Sequence, residues 1–196
     1  MSKVKGKITT SDYLKIEDFN RLVEGLRKDQ RYVWEAYCRL SFCTALRIGD
    51  VLKLRWRDVL TNRIDVTEQK TQKTRTVKFN DNVIAKMKEL HTLMGSPALN
   101  SIVVCGERNP DKAMSREYIN RQLKMFRIEY RLPIECFSSH TFRKTFGRFV
   151  YESNNKSAES LLLLNTIFKH ANLETTKRYI GLTQDNIDQV FESIHF

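Results

Sequence analysis

The chain has 196 residues, with 34 Lys+Arg against 23 Asp+Glu and a formal net charge of +11. Hydrophobic residues at 41% and aromatics at 10% are enough for a packed core, while seven Gly and three Pro exclude collagen-like and linker-rich architectures. The longest apolar run, Leu161 to Leu164, is far short of a membrane span, and no apolar segment follows the basic start. A soluble cytoplasmic protein with no membrane association is therefore expected. The positive surplus favours a polyanionic partner, nucleic acid before a lipid surface. Cys38, Cys43, Cys105 and Cys136 form no Cys-x-x-Cys and the His residues lie far from metal-ligand spacing, so no metal site is expected.

In chain order, residues 1–13 are polar and basic and read as an extension. Ile16, Phe19, Leu22, Val23 and Leu26 recur with helical period. Arg31 to Leu46 is apolar nearly all round and predicts a buried helix. After Gly49, the positions Val51, Leu52, Leu54 and Trp56 predict a short helix. Ile64 and Val66, then Val77 and Phe79, alternate with polar neighbours on either side of a polar stretch, which predicts a β-hairpin with a lysine-rich tip. A helix over 81–92 and a third short strand over Ser101–Cys105 follow. Further helices are expected near 114–130, 139–153, 157–168, 173–180 and 184–194. The last has Thr183 as its cap and an apolar face of Ile187, Val190, Phe191 and Ile194. The whole reads as one mainly α (α+β) domain with a small three-stranded antiparallel sheet.

Four stretches carry candidate chemistry. Arg47 leaves an apolar helix just before Gly49 and Asp50, where it either pairs with Asp50 or points at an anion. Ser138 or Ser139 caps a helix on which His140 and Arg143 lie one turn apart, near the end that favours phosphate. Leu164 to Asn172 and Thr175 to Tyr179 form a helix, a turn around His170 and a second helix. That last pair reads equally as a helix-turn-helix or as a plain packing corner.

Taken together, Arg47, Lys70 in the hairpin, His140-x-x-Arg143, His170 and Tyr179 resemble the tyrosine recombinases, the lambda-integrase-like family, in order, residue type and local context. Leu52 to Asp58 has the family's Leu-x-Leu-x-Trp-x-Asp form, and the His is followed by Thr-Thr-x-x-Tyr. The resemblance covers roughly residues 14–192. It implies a site-specific DNA recombinase or integrase in which Tyr179 attacks a DNA phosphate and forms a 3′-phosphotyrosyl link. Arg47, Arg143 and His170 would stabilise the phosphate oxygens, His140 would take the tyrosine proton, and Lys70 would protonate the leaving 5′-oxygen, with Lys73 and Arg75 as rivals for that task. Asp50 would hold the helix ends and polarise His140. No metal or other cofactor is implied, because the cations come from side chains.

The partners implied are double-stranded DNA, a tetramer of protomers on paired sites, and an accessory DNA-binding protein. Lys169 departs from the Gly usual before the His of this motif, adding charge beside the phosphate path. Residues 14–196 would be the catalytic domain, with no N-terminal core-binding domain ahead of it. Arg47→Ala and Arg143→Ala are expected to slow cleavage by several orders of magnitude with little effect on folding. Other readings are a type IB topoisomerase, a DNA-binding regulator and a recombinase remnant that does not cut.

Overall fold

A computed structural model describes residues 12–70, 72–106, 109–182 and 191–194. α1 (Ile16–Lys28) buries the stripe Phe19, Leu22, Val23 and Leu26 and opens with Glu17 and Asp18, as the helix dipole favours. It packs on α2 (Tyr32–Thr44), whose Trp34, Ala36, Tyr37, Cys38 and Leu40 are buried on all sides. One of the buried α2 positions is a charge. Glu35 is fully buried and binds Arg27 Nε at 2.6 Å and Arg39 Nε at 2.7 Å, so the carboxylate stays paired inside the helical layer.

The single short helix expected after Gly49 is two, α3 (Ile48–Val51) and α4 (Trp56–Val59). Then comes the expected hairpin, β1 (Arg63–Thr67) and β2 (Thr74–Lys78), paired from Arg63↔Lys78 to Thr67↔Thr74. The helical run continues with α5 (Asp81–Leu93), capped by Asn80. After β3 (Cys105–Gly106) and β4 (Asn109–Ala113) come α6 (Arg116–Glu129), α7 (Ser139–Ser153), α8 (Ala158–Phe168) and α9 (Leu173–Tyr179). The expected last helix lies largely outside the described residues.

The fold class stands, but the strands divide differently from the expected single three-stranded sheet. They form two separate antiparallel pairs, β1-β2 and β3-β4. Segment 101–104 cannot join the first hairpin because its backbone is engaged elsewhere: Trp56 N–H donates to Ser101 O at 3.1 Å and Val103 N–H to Leu54 O at 3.0 Å. Val103 and Val104 are both fully buried, so the segment lacks the alternation of a half-buried strand.

The core has two parts. The larger runs from α1 through α7, with Phe142 edge-on to Tyr37 and Phe137. The smaller gathers Ala45, Leu164, Phe168 and Ile180 under α8 and α9. The candidate residues lie along the seam between them.

Candidate active site

The seam begins where α2 stops. Ala45 takes a left-handed conformation (φ 49°), which ends the helix and frees its carbonyl. Arg143, one turn into α7, donates to that carbonyl through Nη1 and to Phe168 O through Nη2 at 2.8 Å. Its guanidinium stacks 4.4 Å over the Phe168 ring, and the residue is only 3% exposed. Burial pulls its pKa down to about 10, which leaves it a cation at neutral pH.

Arg47 precedes α3, and its expected partner Asp50 is not the one it takes. Nη1 donates to Glu68 Oε2 at 2.5 Å, and Glu68 is 1% exposed. Asp50 Oδ1 instead accepts the Gln69 N–H at 2.9 Å. Its carboxylate therefore organises the turn that carries Lys70 rather than polarising His140. Arg116 Nη2 adds a bond to Gln69 Oε1 at 2.7 Å. Both side chains crowd the space over Gly49, where a Cβ would come within 2.6 Å of Gln69 Oε1.

Arg47, Lys70, Arg116, Ser139, His140 and Arg143 surround a cleft of about 440 Å³. Ser138 caps α7 by accepting the His140 N–H, so the dipole of a fifteen-residue helix adds to this concentration of positive charge. Arg75, a rival for the proton-donor task, is turned inward and donates to Ile167 O at 3.0 Å and to Thr44 O. It braces the hairpin and does not face the cleft.

Tyr179 joins the cleft through His140, whose Nδ1 lies 3.4 Å from the phenol oxygen. The Tyr179 ring packs edge-on to Phe168 at 5.3 Å and to His170 at 5.0 Å. Burial pushes its pKa up to about 12 against the pull of Arg143 and Arg47, so the phenol is protonated in the free protein. Desolvation, then Arg143, Lys144, Arg47 and Lys70, hold His140 below its ordinary value, which favours the neutral, proton-accepting ring at pH 7.

His170 is lowered to about 4 by burial and by Arg143 and Arg47. Its Nδ1 lies 3.0 Å from Thr176 Oγ1, which is 3.0 Å from Asn165 Nδ2. With Asn165 donating to it, the hydroxyl has its own proton to offer Nδ1, and this pairing assigns the ring proton to Nε2.

Arg47, Asp50, Lys70, His140, Arg143, His170 and Tyr179 thus fall in or beside one cleft, whereas Arg75 is turned away from it. Glu68, Arg116, Thr176 and Asn165 escaped notice. For Glu68 a signal existed: it continues the inward phase of Ile64 and Val66 along β1.

A sequence profile described as the phage integrase family matches residues 12–185. The chain belongs to this family, that of the tyrosine recombinases. It is 29% identical over 147 residues to a probable integrase/recombinase, YoeC, of Bacillus subtilis (strain 168), covering 72% of this chain and 74% of the relative. It is 26% identical over 158 residues to a probable integrase/recombinase of Acholeplasma phage L2, covering 75% of this chain and 48% of the relative. Its fold matches that of the XerH site-specific recombinase in a post-cleavage complex with palindromic difH, at a TM-score of 0.70 and 19% identity, over 98% of this chain and 55% of XerH. The chain therefore spans about half the length of the phage relative and of XerH.

Proposed function

We propose that this chain is a site-specific DNA recombinase whose residues 14–196 act as the catalytic domain, cleaving and rejoining duplex DNA through Tyr179. The observation that supports this best is the 3.4 Å approach of the Tyr179 hydroxyl to His140, at a cleft where Arg47, Arg143 and Lys70 supply the cations. Tyr179 Oη forms a bond to a backbone phosphorus and the P–O5′ bond breaks. The phenol proton passes to neutral His140, and Lys70 gives a proton to the departing 5′-oxygen. Negative charge developing on the non-bridging oxygens is met by Arg47, Arg143 and the His170 Nε2–H, already aligned by their own partners. Joining is the reverse, with the 5′-hydroxyl of another strand attacking the phosphotyrosine.

Side-chain cations meet the phosphate charge at each step, so the scheme needs no metal. Paired DNA sites imply a tetramer, with an accessory DNA-binding protein as a further partner. A DNA substrate and four free thiols both fit the cytoplasm.

The test is denaturing capture of protein–DNA adducts after incubation with fragmented source DNA, with EDTA present and Tyr179→Phe alongside. Wild type should yield an adduct with a shared sequence at the junction, and Tyr179→Phe none. DNA bound under native conditions without any adduct would replace this reading by a regulator or a non-cutting remnant.

A further inference from the structure

Lys169 is the residue whose place the proposed chemistry leaves unexplained. It closes α8 in the left-handed conformation, φ 53° and ψ 46°, a backbone that glycine adopts freely and a side chain strains. Its side chain is only 19% exposed, turned away from solvent and toward the hairpin. Nζ donates to Lys73 O at 3.2 Å and lies 3.8 Å from Glu68 Oε1. The same Lys73 carbonyl accepts the Glu68 N–H at 3.2 Å, and the Glu68 carbonyl accepts the Gln72 N–H at 2.9 Å. The ammonium thus spans both flanks of the turn carrying Lys70, from residue 68 to residue 73. Glu68 Oε2 meanwhile holds Arg47, so one carboxylate ties the hairpin to two sides of the cleft.

We propose that Lys169 is a positioning residue for Lys70, clasping the base of the hairpin tip to the His170 turn through Glu68 and the Lys73 carbonyl. The inference rests on the recombinase reading, in which Lys70 protonates the leaving oxygen. It corrects the expectation that Lys169 adds charge along the phosphate path: its ammonium is engaged by the protein itself. In this arrangement the general acid sits on a turn that is exposed at its tip and anchored at its base, next to the histidine that faces the phosphate.

Two variants separate the clasp from stability. Lys169→Gly removes the ammonium and relieves the backbone strain, and Lys169→Met removes the ammonium while keeping the strain and most of the stem. Hydrogen exchange on the whole protein, without DNA, reads the clasp directly. The Glu68 and Gln72 amides should exchange about tenfold faster in both variants, with amides of α2 unchanged. Unchanged exchange at the turn would overturn the clasp whatever the protein does to DNA.

Single-turnover cleavage of a duplex carrying the captured sequence then reads the role. Both variants should cleave about tenfold or more slowly than wild type at saturating protein. A substrate with sulfur in place of the scissile 5′-oxygen has a leaving group that departs without a proton. It should restore both variants to the wild-type rate, as it should Lys70→Ala. If it rescues Lys70→Ala and leaves the Lys169 variants slow, or if those variants lose only affinity and salt dependence, Lys169 does not act through Lys70. If wild type cleaves neither substrate, the recombinase reading itself fails and takes the catalytic role of Lys169 with it.

Discussion

The two sides of the cleft are built differently. Arg47, Asp50 and the base of the Lys70 hairpin rest on the larger core, where buried Glu68 holds Arg47 and buried Asp50 holds the Gln69 amide. Tyr179 and His170 rest on the smaller cluster, with Leu164, Phe168 and Ile180 beneath two short helices. Phosphate-facing cations gain from being fixed before charge develops. A nucleophile that must attack, wait as an ester and be displaced gains from an element held by fewer contacts. Two arginines tie the end of α2 to the end of α8: Arg143 donates to Ala45 O and Phe168 O, and Arg75 to Thr44 O and Ile167 O.

Removing Arg143, the more deeply buried of the two, should have the largest effect. Arg143→Ala loses two hydrogen bonds made by a charged donor, each contributing about 1.5–3 kcal/mol, and leaves a void beside Phe168. Cleavage should vanish and stability in urea should fall by about 3 kcal/mol or more. The expectation that this change would have little effect on folding does not survive the 3% exposure of the residue. Arg143→Lys should fail almost as badly, since an ammonium cannot present a fork to two carbonyls. Arg47→Ala should cost less stability, because its side chain is 23% exposed and Glu68 keeps Lys169 nearby. Equal losses for Arg47→Ala and Arg143→Ala would break the distinction between bridge and rim.

Gly147→Ala addresses the smaller cluster alone. The added Cβ would lie 2.6 Å from Ile180 Cγ2 and 3.0 Å from the Phe168 ring, and both neighbours are fully buried. Alanine gains about 1 kcal/mol in helix propensity, but overpacking against side chains that cannot yield costs about 1–3 kcal/mol, so the clash wins. Exchange should quicken in α8 and α9 and cleavage should slow, because Ile180 follows Tyr179 directly, while DNA binding and the α1–α2 amides stay as they were. Loss spread evenly over both clusters would mean that they unfold as one.

How much of this could be read from the sequence follows the same division. The arginines, histidines and tyrosine of the cleft stood out because their types and order are distinctive, and the helices because their apolar periods are strong. The charges that hold them did not. Glu68 and Arg75 look like ordinary hairpin charges, yet each continues the buried phase of its strand, Ile64 and Val66 for one, Val77 and Phe79 for the other. Arg116 starts a helix and carries no periodic signal toward Gln69, a contact made across the chain. The misplaced third strand failed for a related reason: where the hydrogen bonds of 101–104 go depends on the chain at 54–56, which no local pattern encodes.

The smallest expected effect concerns the hydroxyl that sets the His170 tautomer. Thr176→Val keeps the shape and removes the group 3.0 Å from both His170 Nδ1 and Asn165 Nδ2, at a cost of about 1 kcal/mol. With Nδ1 no longer accepting a hydrogen bond from Thr176, the ring proton can move off Nε2, and cleavage should fall about tenfold, the loss expected when an orienting partner is removed. Acid provides the companion measurement. The folded pKa of His170, about 4, lies below its ordinary value of 6.5, so the folded state favours the neutral ring. That stabilisation is fully present above pH 6.5 and is lost as pH falls toward 4. His140 is shifted in the same direction, so the slope of stability against pH over this window contains both rings. His170→Asn should flatten the slope without abolishing it, whereas Thr176→Val should leave most of it, since burial beside Arg143 and Arg47 causes the shift and the hydroxyl only chooses which nitrogen holds the proton.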